Sequence, residues 1–328
     1  MHVIHVKGLT KRFGTLVAVD NLTLTVAKGE SFALVGPDGA GKTTTIRLLC
    51  GIMDPDSGWG KVLTYDTIRE TERIKDRIGY MPQRFGLYDD LTVAENLAFY
   101  ADIYRVPKDL RRGRTKELLE FARLEQFQSR LAAKLSGGMR QKLGLICTLV
   151  HRPEIIFLDE PTFGVDPVSR REFWQILYQL QLSGITIFLS TSYMDEAERA
   201  HRVGLLHRGR LLLTDTPRSV RASFQGELLE LKNAELHKIK KILDDHPLVQ
   251  QTYLMGERLM ITVEQSTRAL ATLQQYLAAS GISDVILKTA EPGLEDVFVQ
   301  IIRCREEETR SLEKGNTARP DKLADPDN

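Results

Sequence analysis

Eight consecutive residues, Gly36-Pro37-Asp38-Gly39-Ala40-Gly41-Lys42-Thr43, follow the pattern G-x-x-x-x-G-K-[ST]. Glycines at this spacing let backbone N–H groups wrap a chain of phosphates, and the N-terminus of a following helix adds its positive dipole end. In such a cradle Lys42 reaches the terminal phosphates and the Thr43 hydroxyl reaches Mg2+, with Thr44 next on the same turn. A second segment, Ile155-Ile156-Phe157-Leu158-Asp159-Glu160-Pro161, is an apolar run ending in two carboxylates. At the end of a buried strand beside a phosphate loop, Asp159 suits a water-mediated hold on Mg2+. Glu160 then suits a general base that orients and deprotonates an attacking water. Alone, such a run is more often merely a strand end; it becomes a catalytic pair only beside the phosphate loop. The third segment, Leu135-Ser136-Gly137-Gly138-Met139, opens a helix. Ser136 there is either a plain N-cap or, with Gly137 and Gly138, a donor of hydroxyl and N–H groups to another anion.

Placing these groups together requires particular elements. Ser31–Val35 is a short apolar strand running into the glycine-rich turn, and Thr43–Cys50 is helical. Ile155–Leu158 and Gly184–Ser190 are continuous apolar runs, as in strands buried on both faces, with a helix over 168–182 between them. Strand, helix, strand in that order predicts an α/β fold with a parallel sheet and crossover helices. Residues 3–7 and 22–26 alternate apolar and polar side chains, as half-buried strands do. Residues 91–104 and 114–131 carry helical spacing around a break at Pro107, and 203–214 form a hairpin turning at Arg208–Gly209.

After Pro217 the pattern changes. It predicts a strand at 227–231, a helix at 234–244, a hairpin at 251–263, a helix at 268–279, a strand at 284–288 and a helix at 294–303. The order βαββαβ predicts a ferredoxin-like split βαβ unit. The expected organisation is therefore a phosphate-loop domain over 1–215, an accessory α+β domain over 216–304 and a disordered charged tail over 305–328, where half the residues are charged.

Composition narrows the field. The 328 residues are 42% hydrophobic and 27% charged, enough to bury a core. Forty-five Lys and Arg against 44 Asp and Glu leave a formal charge of +1, which argues against a nucleic-acid partner. The cysteines at 50, 147 and 304 form no CxxC pair, as expected of a reduced, cytoplasmic protein. No apolar run suits a signal peptide or reaches the roughly 18 residues of a membrane span, so a membrane role would be peripheral.

Taken together, the motifs resemble the ATP-binding subunit of ABC transporters: Walker A at 36–43, the LSGGM signature at 135–139 and Walker B at 155–160. Tyr80-Met81-Pro82-Gln83 is similar to the Q-loop, and Gly164-Val165-Asp166-Pro167 to the D-loop. Phe13 stands where the family stacks an aromatic ring on adenine. The resemblance covers residues 1–215 and implies a P-loop NTPase of ABC type: a parallel core sheet, an antiparallel β subdomain and a helical subdomain. It implies ATP and Mg2+ as cofactors, with Gln83 as a Mg2+ ligand and relay to the membrane subunit. It also implies head-to-tail pairing, in which Ser136 and Gly138 of one domain contact the γ-phosphate held by the other. Glu291-Pro292-Gly293-Leu294-Glu295-Asp296-Val297-Phe298 and Gly86–Val93 resemble the daunorubicin-resistance, multidrug-efflux branch. The implied partners are multi-span membrane permease subunits at the inner face of the cell membrane, a second ATPase domain and a membrane-fusion adaptor.

Departures from the family pattern are informative. In Ser190-Thr191-Ser192-Tyr193-Met194-Asp195-Glu196, Ser192 occupies the place of the family's switch histidine, and none of the seven His is near enough in sequence to substitute. That segment resembles the first half of fused two-half efflux ATPases. It implies an asymmetric pair with one weak site, built on this chain's own Walker motifs; Glu160 is nevertheless present. Asp38 replaces the usual Asn and is expected to point outward or to take a hydrogen bond from the loop; Met139 replaces Gln, and Phe163 stands where Ser is usual. The favoured function is an exporter's energy-coupling ATPase. The alternatives are a soluble ABC ATPase acting on ribosomes or DNA, and an ATP-sensing regulatory module.

Overall fold

Two 12-residue strands, β1 (His2–Phe13) and β2 (Leu16–Ala27), lead into the fully buried β3 (Ser31–Val35) and the helix α1 (Lys42–Leu49). The computed structural model describes residues 1–282 and 284–316 and divides into two units between Pro217 and Arg218. The first unit continues through β4 (Ser57–Val62), β5 (Tyr65–Asp66), α2 (Thr71–Lys75) and β6 (Ile78–Met81). Three helices follow, α3 (Val93–Ile103), α4 (Lys108–Ala122) and α5 (Gly137–Thr148). It closes with β7 (Ile155–Asp159), α6 (Pro167–Leu182), β8 (Thr186–Thr191), α7 (Met194–Ala197), β9 (Arg202–His207) and β10 (Arg210–Asp215).

The central sheet has the order β10-β9-β3-β8-β7-β6. All neighbours are parallel except the β9–β10 hairpin, which turns through Arg208 and Gly209, both at positive φ. Strands buried on both faces must be apolar throughout. Phe32, Phe157 and Phe188 accordingly meet at their centre, with ring centroids 5.3 Å and 5.6 Å apart. A second, antiparallel sheet, β2-β1-β4-β5, contributes Ile4, Val6, Val19 and Val62 to the same core. The parallel register puts the C-terminal ends of β3, β7 and β8 side by side: Val35 pairs with Thr191, and Asp159 with Ser190. The phosphate loop, the Asp159–Glu160 pair and the Ser190–Ser192 segment are all delivered to that edge.

The helical region differs from the sequence expectation. The spacing predicts a helix over 114–131, but α4 starts directly after Pro107 and ends at Ala122. Residues 108–113 lack apolar periodicity yet contain good helix formers, and proline at a helix start costs no hydrogen bond. Arg123 then adopts a left-handed conformation (φ 56°), which stops the helix.

The second unit comprises α8 (Pro217–Ala222), β11 (Glu227–Lys232), α9 (Leu236–Asp244), β12 (Val249–Met255), β13 (Arg258–Val263), α10 (Ser266–Ala279), β14 (Ile286–Ala290) and α11 (Leu294–Asn316). Its sheet order, β12-β13-β11-β14, is antiparallel at every step, the split βαβ arrangement. Leu229, Leu231 and Ile261 of the sheet pack on Ile239 and Leu243 of α9 and on Leu273 and Leu277 of α10. The final helix corrects one expectation. It runs past Arg305 to Asn316, where composition predicts disorder. Glu, Arg, Lys and Leu are strong helix formers, and extending an existing helix avoids the nucleation cost. The rest of the expected disordered tail, 317–328, lies outside the described residues.

Phe188 is fully buried between two other phenyl rings. Phe188→Ala is expected to destabilise the protein by about 3–5 kcal/mol, read as a lower urea midpoint with an unchanged slope.

Candidate functional site

The turn between β3 and α1 is shaped by steric demand. Gly41 has φ +105°, and a Cβ there would lie 2.2 Å from the Ala18 carbonyl oxygen. Gly36 donates its N–H to the Thr191 carbonyl (3.3 Å), and Ala40 to the Pro37 carbonyl (3.2 Å), which curls the loop through Pro37, Asp38 and Gly39 back over the start of α1. Lys42, only 5% exposed, folds into this loop. Its Nζ donates to the carbonyls of Gly36 (2.7 Å) and Pro37 (3.0 Å) and pairs with Glu160 Oε1 at 2.9 Å. The Asp38 carboxylate is 4.0 Å from Nζ and is itself 89% exposed, so it points outward from the loop.

The two carboxylates stand on the neighbouring strand end. Thr43 Oγ1 donates to Asp159 Oδ1 at 3.1 Å, and Ser190 Oγ donates to the same oxygen at 2.6 Å. Glu160 follows in a left-handed backbone conformation, φ 48°, which a residue with a side chain adopts only when its surroundings hold it. Its N–H donates to the Ser190 carbonyl and to Ser190 Oγ, both at 3.1 Å. Ser192 Oγ donates to Glu160 Oε2 at 3.4 Å, a long contact from a short side chain. Burial, with the Asp159 charge close by, pushes the Tyr80 phenol up to about 12, so this neighbour stays neutral.

These groups open on one cleft of about 480 Å3. It is lined by the phosphate-loop residues Asp38–Thr44, by Glu160 and Gln83, and by Phe13, Leu16, Ala18 and Phe163. Phe13 is 46% exposed there, with the Lys11 ammonium 5.9 Å from its ring centroid. Of the cleft's lining, the Thr43 hydroxyl and the Gln83 amide oxygen suit a hard cation, and the buried Asp159 carboxylate accepts from that same hydroxyl at 3.1 Å. Among the described residues no cluster of three or more His, Cys, Asp or Glu could hold a metal alone. Such a donor set fits Mg2+ shared with phosphate oxygens, not a closed protein cage.

The remaining expected residues stand apart from the cleft lining. Ser136 caps α5, accepting from the Met139 N–H at 3.3 Å, and Gly137 is the first residue of that helix with open space around it. Gly138 abuts α6, where a Cβ would meet the Ser169 side chain at 2.3 Å. Asp166 caps α6 by accepting from the N–H groups of Val168 (3.1 Å) and Ser169 (3.0 Å). Hydrogen bonds from Ser169 and Val168 hold its carboxyl below the usual range. The chain therefore carries two separate constellations, a phosphate-sized cleft and a capped pair of helix starts.

Sequence reasoning missed Ser190, which bridges Asp159 and the Glu160 backbone. Its only signal is a polar residue at the end of an apolar strand. It also took Phe163 as a mere departure, although this half-exposed ring lines the cleft.

Comparison with known proteins places this geometry in context. Residues 19–163 match the family model described as ABC transporter. The chain is 41% identical over 304 residues to the protein named Probable multidrug ABC transporter ATP-binding protein YbhF of Escherichia coli (strain K12). That alignment covers 92% of this chain and 52% of the relative, so the chain spans about half the length of this curated relative. It is 31% identical over 320 residues to the Daunorubicin resistance ATP-binding protein DrrA2 of Streptomyces coeruleorubidus, covering 95% of this chain and 98% of that one. Among solved structures, it is similar to a dimeric ATP-binding cassette in a post-hydrolysis state bound to ADP and Pi. The TM-score is 0.59 at 28% identity, over 65% of this chain and 98% of that chain.

Because a side chain at position 41 collides with the Ala18 carbonyl and is strained by the backbone, Gly41→Ala is expected to cost about 1–3 kcal/mol, measured by urea unfolding.

Proposed function

The chain belongs to the ATP-binding subunits of ABC transporters, and from that membership we propose that it binds and hydrolyses ATP to drive an exporter of drugs or other lipophilic small molecules. The observation that carries this reading is the Lys42 ammonium, which faces the Glu160 carboxylate at 2.9 Å in the lining of the cleft. An incoming phosphate chain takes over Lys42, and Glu160 is released to orient water. Phe13 offers its ring to the adenine, and the N–H groups of residues 38–44 cradle the phosphates. Thr43, Gln83 and Asp159 would hold Mg2+, which when bound neutralises charge on the phosphate oxygens.

The site is proposed to be completed by a second ATPase domain. Ser136, Gly137, Gly138 and Asp166 lie outside the cleft of their own chain, and the matching dimeric cassette supports a pairing that would bring them to the opposite nucleotide. Two nucleotides then stabilise the closed pair, and hydrolysis reopens it. Among the described residues no helix is long and apolar enough to cross a membrane. In this reading the transport path lies in multi-span permease subunits, with this chain on their cytoplasmic face and Gln83 relaying the nucleotide state.

The Ser192 contact supports an asymmetric pair. The side chain turns its hydroxyl to Glu160 at 3.4 Å and is shorter than the imidazole that the family carries at this position, and losing one preorganised donor to the γ-phosphate costs about 10²–10³ in rate.

Two measurements test the proposal. Glu160→Gln should abolish turnover while ATP still binds and drives pairing by light scattering; undiminished turnover contradicts the role of Glu160. Ser192→His should raise turnover at saturating ATP by about tenfold or more; an unchanged rate, alone and with the partner ATPase, contradicts the weak-site reading.

A further inference from the structure

One buried carboxylate near the cleft has no part in nucleotide binding. Glu196, on the four-residue helix α7, is 1% exposed. Its Oε1 accepts from Thr162 Oγ1 and faces Arg170 Nε at 3.2 Å; its Oε2 accepts from Thr191 Oγ1 at 3.0 Å. Each partner belongs to a different working segment. Thr162 lies two residues beyond Glu160, on the turn that leaves β7. Thr191 immediately precedes Ser192, and its hydroxyl accepts the Tyr193 N–H at 3.0 Å, so Ser192 is bracketed on both sides. Arg170 closes the first turn of α6, donating its N–H to the carbonyl of Asp166 (2.9 Å), and its guanidinium lies 4.5 Å over the Tyr193 ring.

We infer that Glu196 is a positioning residue that ties the Glu160 turn and the Ser192 segment to the Asp166 end of α6, so that these three move as one body. The inference rests on the ATPase reading above and adds a regulatory link to it: displacement of α6 by a paired domain reaches Ser192 and Glu160 through a single carboxylate.

The chemistry favours this over a plain staple for α7. Burying a carboxylate costs several kcal/mol unless it is fully partnered, and an apolar residue of similar volume serves packing as well or better. Desolvation raises the Glu196 pKa, with Asp195 acting in the same direction and the Thr162 and Thr191 hydroxyls and Arg170 opposing it. The carboxylate also acts where restraint is needed, since Glu160 has a left-handed backbone at φ 48°. None of its partners touches Lys42, and only Thr191 reaches the phosphate loop, through its backbone carbonyl, which accepts the Gly36 N–H at 3.3 Å.

The test uses the full chain with Glu196→Gln, which keeps shape, with Arg170→Met, and with both together. The readouts are ATP turnover at saturation, ADP affinity by calorimetry, and backbone hydrogen exchange over 167–171 and 190–194. Each single variant should lower kcat by about tenfold or more with ADP affinity within about twofold. The double variant should be no worse than the worse single one, and exchange should quicken at both segments in both variants. An unchanged kcat, an equal fall in ADP affinity, or faster exchange confined to the mutated segment overturns the inference. Should the unaltered chain hydrolyse no ATP, the ATPase reading falls, while the exchange comparison still decides the tie because it needs no turnover.

Discussion

The Lys42 ammonium is almost wholly removed from water, and a cation in that position must be surrounded by oxygen. Here it has the Gly36 and Pro37 carbonyls and the Glu160 carboxylate, all within 3.0 Å. Removing one partner from a buried pair costs about 3–5 kcal/mol, so neither charge can move without a replacement. A phosphate chain is such a replacement for Lys42, since it brings negative charge to the same loop. The glycines, the strand order and the Ser190 bridge can all be understood as conditions for holding this one exchangeable ion pair.

The constraint extends outward along the sheet. Parallel pairing of β3, β8 and β7 brings the loop, the Ser190–Ser192 segment and the Asp159–Glu160 pair to one edge, and Ser190 Oγ joins the last two by donating to Asp159 and accepting from Glu160. Glu160 there meets the Lys42 ammonium at one carboxylate oxygen (2.9 Å) and the Ser192 hydroxyl at the other (3.4 Å). The pairing proposed above would bring Ser136–Gly138 of a second domain over the cleft.

How much of this was legible in the sequence depended on whether the deciding interaction was local. The phosphate loop follows from eight contiguous residues, because glycine spacing sets backbone shape directly. Strands β3 and β7 stand where their apolar runs predict, since a run between charges has few alternatives. The α4 boundaries were misjudged because apolar spacing was weighed above helix propensity over 108–113 and because the left-handed Arg123 leaves no compositional trace. Ser190 and Glu196 were passed over for another reason. Their importance comes from partners 31 and 34 residues away, and no window of sequence contains both ends of those contacts. The helix over 305–316 escaped because low hydrophobicity excludes a core but does not exclude the extension of a helix already formed.

The central claim is that a buried ammonium trades a carboxylate for phosphate. It is tested most directly by calorimetric titration of the full-length chain and its Lys42→Ala form with ATP and Mg2+. The account predicts that Lys42→Ala weakens binding by about tenfold or more, as expected for loss of a charge-assisted contact worth about 1.5–3 kcal/mol. Equal affinity in the two proteins would contradict it.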